Sequence, residues 1–547
     1  TSVASARVLE LTNALPLWSD YFLHGVTIAS FGGPFGTGTG TDIEIVGVSR
    51  VFYHYATFML PAAFQPVTGA PGLALAASIL LPLGVLTAGL GCYAFVAQLG
   101  SRAAGLLAVI VAGVVPVYRT PLQSGLLDFH WLFLATPGSG YAIGLAMLAC
   151  VAAMQCVEHG GIRRFCFLGL LLVSIVLVRV HFFMLIAPAI AMYVALRRHW
   201  ITTYRAVVSL GLAALVLFAV ASASPAIADW LASQPPPGQY LDGVLSHTLF
   251  FGRPMGLPAA SSVPMLVVKT ALTLIALLGV YALAYPMLAL AATLRFGLKD
   301  ADRLVFCLLL SYVGLMLFAP MAGNADYTEY KHRHFPLAYV MVALACVLNI
   351  WRLAGMHGRP SAWRDRAAVV LSVVILGAAA MATRGSDPAK PDVAAMPWSA
   401  DFYGEHVAPG LVDAARFMRA QARPGDILAL GGDAVSGNSR MIVDLIAMTD
   451  IPAFLSRSEL RLLRGPCVQQ TVEKRTTALK NIATAADWSQ ARQRMRENAI
   501  RWFVVPGGEP AAWDPTGQAA AYSSHGLSVY DAGVRAKGVQ PPTETCR

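Results

Sequence analysis

The residues whose side chains could act in catalysis or bind a ligand lie in short polar stretches between long apolar runs. Asp20 lies in the first loop, as its acid closest to where a preceding helix would end, and a carboxylate that is partly removed from water there can serve as a general base. Asp128 and His130 are two residues apart, so in an extended segment both side chains point to the same side. The pattern fits a metal-binding pair or an acid oriented by an imidazole, with Asp20, Asp42 or Glu44 as a further ligand. For Asp20 the alternative is a helix N-cap or a solvated loop residue.

A second group of polar residues is cationic. Lys331, Arg333 and His334 directly precede an apolar run, and Arg179 and His181 interrupt another. Ammonium, guanidinium and imidazole groups are donors to phosphate, so the sequence predicts that these residues hold an anionic lipid head or a pyrophosphate. The alternatives are ion pairs with the acids at 326 and 329 for the first three, and snorkelling to the membrane surface for the other two.

The amino-acid composition indicates the class of protein that must position these residues. The chain has 547 residues, of which 56% are hydrophobic and 13% charged, against about 25% charged in average soluble proteins. This excludes a single water-soluble domain, a disordered chain and a disulfide-dense mini-protein. The formal net charge of +10 is expected in cytoplasmic loops of a membrane protein, and the sequence has no nucleic-acid motif.

Apolar runs near the length of a membrane span recur along the first 383 residues. Between the fourth and fifth runs only residues 179–181 intervene, so one long or kinked helix is an alternative there. The ten predicted spans lie near residues 73–99, 103–117, 140–157, 165–178, 182–196, 205–223, 265–294, 304–320, 335–351 and 367–382.

Lys and Arg residues predict the orientation of these spans, because positive loops favour the cytoplasmic side. Five alternate loops carry them: Arg102; Arg163 and Arg164; Arg197 and Arg198; Arg295, Lys299 and Arg303; and Arg352, Arg359, Arg364 and Arg366. The outer side then holds the first loop, 1–72, which we expect to form interfacial amphipathic helices. It also holds the connections 118–139, 179–181, 224–264 and 321–334 and everything after residue 383. Since the chain begins at Thr1 on that side, we expect an eleventh helix upstream, the alternative being a removed signal peptide.

Residues 384–547 differ in character from the rest. Strands are predicted at 426–432, 451–455, 500–506 and 527–531, and helices at 411–422 and 486–498. The alternation predicts a small α/β domain with a mostly parallel sheet, and Gly431-Gly432-Asp433 is interpreted as a plain turn because the rest of a nucleotide fingerprint is missing. Cys467 and Cys546 are predicted to form a disulfide if the domain is extracytoplasmic, and no zinc spacing is present.

These features together resemble the GT-C class of membrane glycosyltransferases, which use polyprenyl-phosphate sugars. The resemblance rests on about eleven helices, a long first outer loop with an early acid, and a C-terminal outer domain. It implies a polytopic α-helical membrane protein of about 10–11 transmembrane helices, with a GT-C-like catalytic domain over 1–383 (spans 73–382) and an extracytoplasmic α/β domain over 384–547.

The resemblance also implies roles for particular residues. Asp20 matches the first-loop catalytic acid, as base or metal ligand; Asp128 with His130 would form the second-loop site; and Lys331 or Arg333 would hold the lipid phosphate. The expected partners are membrane lipid and a lipid-linked sugar, the expected cofactor is a divalent metal, Mg²⁺ or Mn²⁺, and the expected location is the inner membrane with the last domain periplasmic. His130 departs from an acid-x-acid pair, which leaves metal dependence open.

Two other classes of protein have the same gross features. A transporter or flippase has a similar number of spans, although its site is expected near the bilayer midplane rather than on one face. A non-catalytic envelope assembly subunit would use the outer domain to bind a partner. Loss of function on mutating Asp20, Asp128 or Arg333 separately would distinguish an enzyme from such a subunit.

Overall fold

A computed structural model gives the fold of most of the chain. It describes residues 5–15, 17, 19–33, 42–50, 55–114, 122–124, 129, 133, 135–198, 239–246, 248–250, 253–254, 262–319, 333–355, 370, 374, 405–431, 440–458, 465–507 and 511–533. The predicted spans 205–223 and 367–382 fall outside these residues, apart from positions 370 and 374.

The described residues contain sixteen helices and nine strands. The helices are α1 Ser5–Thr12, α2 Asp20–Gly32, α3 Ala56–Thr68, α4 Gly72–Leu99, α5 Arg102–Val114, α6 Gly138–His159, α7 Ile162–Arg197, α8 Gln239–Ser246, α9 Val263–Leu278, α10 Val280–Phe296, α11 Asp300–Phe318, α12 Phe335–Leu353, α13 Leu411–Gln421, α14 Arg440–Thr449, α15 Pro466–Ala483 and α16 Trp488–Glu497. The strands are β1 Ala14–Leu15, β2 Leu122–Ser124, β3 Thr248–Phe250, β4 Arg253–Pro254, β5 Glu405–His406, β6 Leu428–Leu430, β7 Trp502–Val505, β8 Tyr522–Ser524 and β9 Leu527–Asp531.

The chain divides into two compact units. Unit 1 contains Thr1–Leu83 together with Ala400–Arg547, and unit 2 contains Gly84–Ser399. The predicted first loop therefore packs with the C-terminal region. The assignment of residues 1–383 to a catalytic membrane domain and of 384–547 to an extracytoplasmic domain stays a prediction.

Among the described residues, five helices are long and apolar enough to cross a membrane, or six if the bent pair α9 and α10 is one span. The five are α4, α6, α7, α11 and α12, with the 36 residues of α7 counted as one segment. The centre of unit 2 is α12, because 89% of its most apolar 18-residue stretch is buried inside the protein. The chain is thus mostly helical and membrane-spanning, with a small C-terminal sheet.

The helix α7 reverses direction at Arg179. Backbone angles there (φ −164°, ψ 95°) are extended rather than helical. At one end Arg164 donates to the Gly160 carbonyl oxygen at 2.9 Å, and beyond the other end Arg198 donates to the Cys156 carbonyl oxygen at 2.7 Å. A straight helix would hold residues 164 and 198 about 50 Å apart. The α7 segment is therefore a helical hairpin, and the predicted fourth and fifth spans are its two arms.

The predicted cytoplasmic loops of unit 2 meet at one end of its helices, here named the basic end. Arg197 Nε lies 2.8 Å from Asp300 Oδ1, and Arg295 donates to the Leu353 carbonyl oxygen at 3.4 Å. Arg352 is buried, pairs with buried Asp302 at 2.8 Å, and shares a hydrogen-bond network with Asn349. These contacts bring together the predicted loops that carry Arg197, Arg295 and Arg352, while the side of the membrane they face stays a prediction.

The predicted span 265–294 is wrong as a single helix. The helices α9 and α10 meet at Gly279 with a bend of 103°, and Gly279 has φ +57°. Arg295, in the last turn of α10, contacts α12 at the basic end, whereas Tyr281 in its first turn packs edge-on against Tyr339, near the start of α12. The helix α10 therefore runs along the bundle, and α9 crosses nearly perpendicular to it at the opposite end.

In unit 1 the helix α2 is a core element, not the surface-lying helix that the sequence predicted. A Cβ on Gly72 would lie 2.1 Å from the Gly25 carbonyl oxygen, and a Cβ on Gly32 would lie 2.0 Å from that of Ala62. These contacts are closer than any side chain allows, so glycine is required for α2 to pack on α3 and on the start of α4. The helix α3 does keep an exposed apolar face of Met59, Leu60, Phe64 and Val67, as an interfacial helix would.

The C-terminal sheet has the strand order β6-β7-β9-β8. The pair β6 and β7 is parallel, but β9 is antiparallel to both β7 and β8, so the prediction of a mostly parallel sheet is wrong. The reason is that β8 and β9 form a hairpin around Gly526, and adjacent hairpin strands are antiparallel. The predicted helices at 411–422 and 486–498 are confirmed as α13 and α16.

A first-loop segment, residues 42–48, completes this region. Val46 donates its N–H to the Ala453 carbonyl oxygen at 3.1 Å, and Ala453 donates to the Ile43 carbonyl oxygen at 2.8 Å. Ala453 in turn forms a parallel bridge with Leu428 of β6. The predicted strand at 451–455 is thus a short link between the first loop and the sheet. Cys467 is disulfide-bonded, and its predicted partner, Cys546, lies outside the described residues.

Candidate functional site

The turn of the α7 hairpin carries two of the predicted cationic residues. Arg179 is 6% exposed and His181 is 1% exposed, so both side chains are inside the protein and do not snorkel to a surface. The Arg179 guanidinium carbon lies 5.6 Å from the centre of the Phe182 ring, which is within cation–π range. Because burying such groups among apolar helices is unfavourable, they mark a functional site by default.

The first residues of α12 bring two more of the predicted residues to the same end. His334 is fully buried and its ring packs edge-on against Tyr312 of α11 at 5.4 Å, and Arg333, next to it in the chain, is half-buried. Tyr312 follows Ser311, whose hydroxyl donates to the carbonyl oxygen of Leu185 at 3.0 Å. Leu185 is one turn beyond His181 in the second arm of the hairpin.

These contacts place Arg179, His181, Arg333 and His334 together at the end of unit 2 opposite the basic end; we call it the histidine end. Aromatic rings line the histidine end. The Phe129 ring stacks on the Tyr339 ring with 4.4 Å between their centres, and Tyr281 packs against the same Tyr339 ring. The predicted residues Asp128 and His130, which flank Phe129 in the chain, lie outside the described residues. So does Lys331.

Asp20 belongs to unit 1 and is the first residue of α2. The N-cap position is Ser19, which makes no side-chain capping bond, so Asp20 is not the N-cap that was its alternative interpretation. A carboxylate in the first helical turn is favoured by the helix dipole. The side chain is half-buried, which leaves it accessible for chemistry.

The structure assigns Glu44 another role than that of a metal ligand. Both of its carboxylate oxygens accept hydrogen bonds from Arg457, at 2.7 and 2.6 Å. Asp42 Oδ1 accepts the backbone N–H of Glu44 at 3.0 Å. These contacts fix the first-loop segment 42–48 on the C-terminal region. Within the described ranges, no three His, Cys, Asp or Glu side chains come together as a metal site would require.

The structure adds one charged pair that the sequence analysis missed. Lys269 of α9 is 1% exposed and donates to Asp242 Oδ1 of α8. A signal was present, because Lys269 is the one charged residue in the apolar stretch 263–294, and an ionisable residue inside such a stretch marks a site by default.

Comparisons with family models, curated proteins and solved structures gave different results. No protein-family model matches the chain, and no curated protein matches it. Among solved structures, the chain is similar to an oligosaccharyltransferase of Archaeoglobus fulgidus, solved as a complex with zinc and sulfate. The identity is 13%, the match covers 92% of this chain and 68% of that one, and the TM-score is 0.39. A TM-score this low carries no argument about function.

Proposed function

We propose that the protein is a GT-C-type membrane glycosyltransferase that moves a sugar from a polyprenyl-phosphate donor to an acceptor. The observation that carries the proposal is the histidine end of unit 2, where Arg179, His181, Arg333 and His334 come together at the end opposite the basic end. If the basic end faces the cytoplasm, the histidine end lies at the outer surface, where a lipid headgroup would meet it.

The charges at the histidine end suit the departing group of the reaction. When the bond between the sugar and the lipid phosphate breaks, negative charge develops on the phosphate oxygens. Guanidinium groups that are already in place stabilise that charge without rearranging, and imidazoles donate to the same oxygens. Buried surroundings strengthen each of these interactions.

Asp20 is the proposed base. It would accept the proton of the acceptor hydroxyl as the new glycosidic bond forms. A half-exposed carboxylate can be reached by that hydroxyl and can act as a general base. Asp128 and His130 are proposed as its partners at the sugar. In the alternative role of Asp20 as a ligand, a divalent metal would be held by Asp20, Asp128 and His130 and would polarise the phosphate.

The test is sugar transfer by the purified full-length protein in lipid nanodiscs. A polyprenyl-phosphate hexose is the donor, and release of polyprenyl phosphate is measured. We expect Asp20→Asn to lower the rate by about a hundredfold or more, since general bases contribute that much. Asp413→Asn is the matched control, because Asp413 is an exposed residue of unit 1 that pairs with Arg416 on its own helix.

A second arm tests the cations. Arg333→Met should weaken donor binding, whereas Arg7→Met, which changes an exposed arginine paired with Glu10, should not. Full activity of Asp20→Asn would remove Asp20 from the mechanism. Movement of intact lipid-linked sugar across the bilayer, with no bond broken, would favour the flippase alternative. Chelation tests the metal, since activity that persists in EDTA leaves Asp128 and His130 as substrate contacts.

A further inference from the structure

The crosswise helix α9 carries a polar face on its buried side. Lys269 and Thr273 are one turn apart, so both side chains lie on the same face, and both are almost fully buried. The opposite face exposes Val263 and Val267, as expected of a helix that contacts lipid. The polar face therefore turns toward the interior of unit 2, where α8 packs on it.

The charge on this face is paired with a carboxylate of the neighbouring helix α8. Lys269 donates to Oδ1 of Asp242, and Asp242 remains 35% exposed on its side chain. Burying the ammonium group of Lys269 is costly, and an apolar residue of similar volume would pack α8 on α9 at least as well. Packing alone therefore does not explain the pair, whereas a half-open carboxylate held rigidly by a buried lysine is suited to bind a ligand.

A second observation points the same way. The Thr273 hydroxyl is buried and has no hydrogen-bond partner among the described residues. Threonine in a helix ordinarily donates to the carbonyl oxygen four residues earlier, as Thr270 does to Leu266 at 2.8 Å. Buried polar groups are nearly always hydrogen-bonded, so a hydroxyl without a partner marks a place for one.

We propose that Asp242, Lys269 and Thr273 form a subsite for the hydroxyl groups of a sugar ring, an inference that rests on the proposed glycosyltransferase function. Asp242 accepts from one hydroxyl, and Thr273 and Lys269 donate to others. Residues one helical turn apart are about 5–6 Å apart, a separation that a hexose ring with its hydroxyls spans. A second metal ion is disfavoured here, because the lysine already neutralises the carboxylate.

Thr273→Val is the decisive variant. It replaces an unpartnered buried hydroxyl by a methyl group of the same shape, so the protein should fold with unchanged or higher thermal stability. The KM for the sugar substrate should nevertheless rise by about threefold to tenfold, the worth of one hydrogen bond. Thr270→Val, on the same helix, is the control, and its KM should stay at the wild-type value.

Asp242→Asn removes the charged contact and should raise the same KM by about tenfold or more. Donor and acceptor are titrated separately with a polyprenyl-phosphate hexose and a soluble glycan acceptor, and the KM that rises identifies which sugar the subsite holds. If the wild-type protein transfers sugar while Thr273→Val and Asp242→Asn keep both KM values within twofold, the subsite is refuted and the proposed function stands. If the wild-type protein transfers no sugar, the proposed function fails and this inference with it.

Discussion

Arg198 donates a hydrogen bond to the carbonyl oxygen of Cys156 at 2.7 Å, across the mouth of the α7 hairpin. The bond joins the end of the hairpin to the end of α6, directly before its first arm. Both ends of the hairpin are therefore at the basic end, and Arg179 is at the histidine end.

This geometry predicts the outcome of cysteine labelling in cells. With the exposed Cys166 replaced by serine, Arg164→Cys and Arg198→Cys should react with a membrane-impermeant maleimide from one side of the membrane. Val180→Cys, beside the turn, should react from the other side. Labelling of positions 164 and 198 from opposite sides would mean that α7 is a single continuous span.

A second prediction concerns Asp450, which fixes the start of the first long helix. Its Oδ1 accepts the N–H of Gly72 at 2.8 Å, and Arg419, which pairs with the same carboxylate, also donates to the Gly69 carbonyl oxygen at 2.6 Å. We expect Asp450→Ala to lower the free energy of unfolding by about 1–3 kcal/mol, because Gly72 and Arg419 lose a buried acceptor. Asp450→Asn keeps an oxygen for Gly72 and should be milder.

The same residue should make stability depend on pH. Burial raises the pKa of Asp450 above its ordinary value of 3.8, against the opposing effects of Arg419 and the Gly72 N–H. The folded state then holds its proton more tightly than the unfolded state, so this contribution is complete below pH 3.8 and is lost as pH rises through the folded pKa. The stability of the wild type relative to Asp450→Asn, measured by thermal melts, should therefore fall as pH rises above 3.8.

A third prediction concerns the bidentate pair of Glu44 and Arg457 that attaches the first loop. Glu44→Gln keeps the shape but loses the charge, and a charge-assisted hydrogen bond contributes about 1.5–3 kcal/mol. We expect faster cleavage near residues 42–48 in limited proteolysis. The pair of Arg416 and Asp413 in the same unit is exposed, and its loss should leave the cleavage rate unchanged.

A fourth prediction concerns the buried pair of Asp302 and Arg352 at the basic end. Removing one partner leaves a buried charge, so Arg352→Met should lower the free energy of unfolding by about 3–5 kcal/mol. Replacing both partners with apolar residues should recover much of that loss. A double-mutant cycle in detergent gives the comparison, and additive losses would show that the two side chains are not coupled.

Interrupted apolar runs were informative in the sequence, and uninterrupted ones were not. Arg179 and His181 divide an apolar stretch, and the structure turns there. The stretch 263–294 has only Lys269 and Gly279 to indicate the 103° bend, and neither breaks a hydropathy pattern. Apolar composition gives the length of a helix that avoids water, but not the direction in which that helix runs.

The candidate site shows the same division. Positive residues in a predicted outer loop run against the positive-inside trend. The sequence alone therefore sufficed to select Arg179, His181, Arg333 and His334 as candidate site residues. Pairs distant in sequence could not be. Lys269 and Asp242 are 27 residues apart, and Glu44 was interpreted as a ligand because Arg457 is 413 residues away from it.

The docking of residues 42–48 on the C-terminal region bears on how the protein can be made. Ile45, Val46 and Val48 belong to the same apolar cluster as Ile427 and Phe503, so a fragment beginning at residue 384 would leave that cluster open to water. Such a fragment is expected to aggregate. In the cell, residues 42–48 can complete this cluster only after the ribosome has synthesised the C-terminal residues that form it.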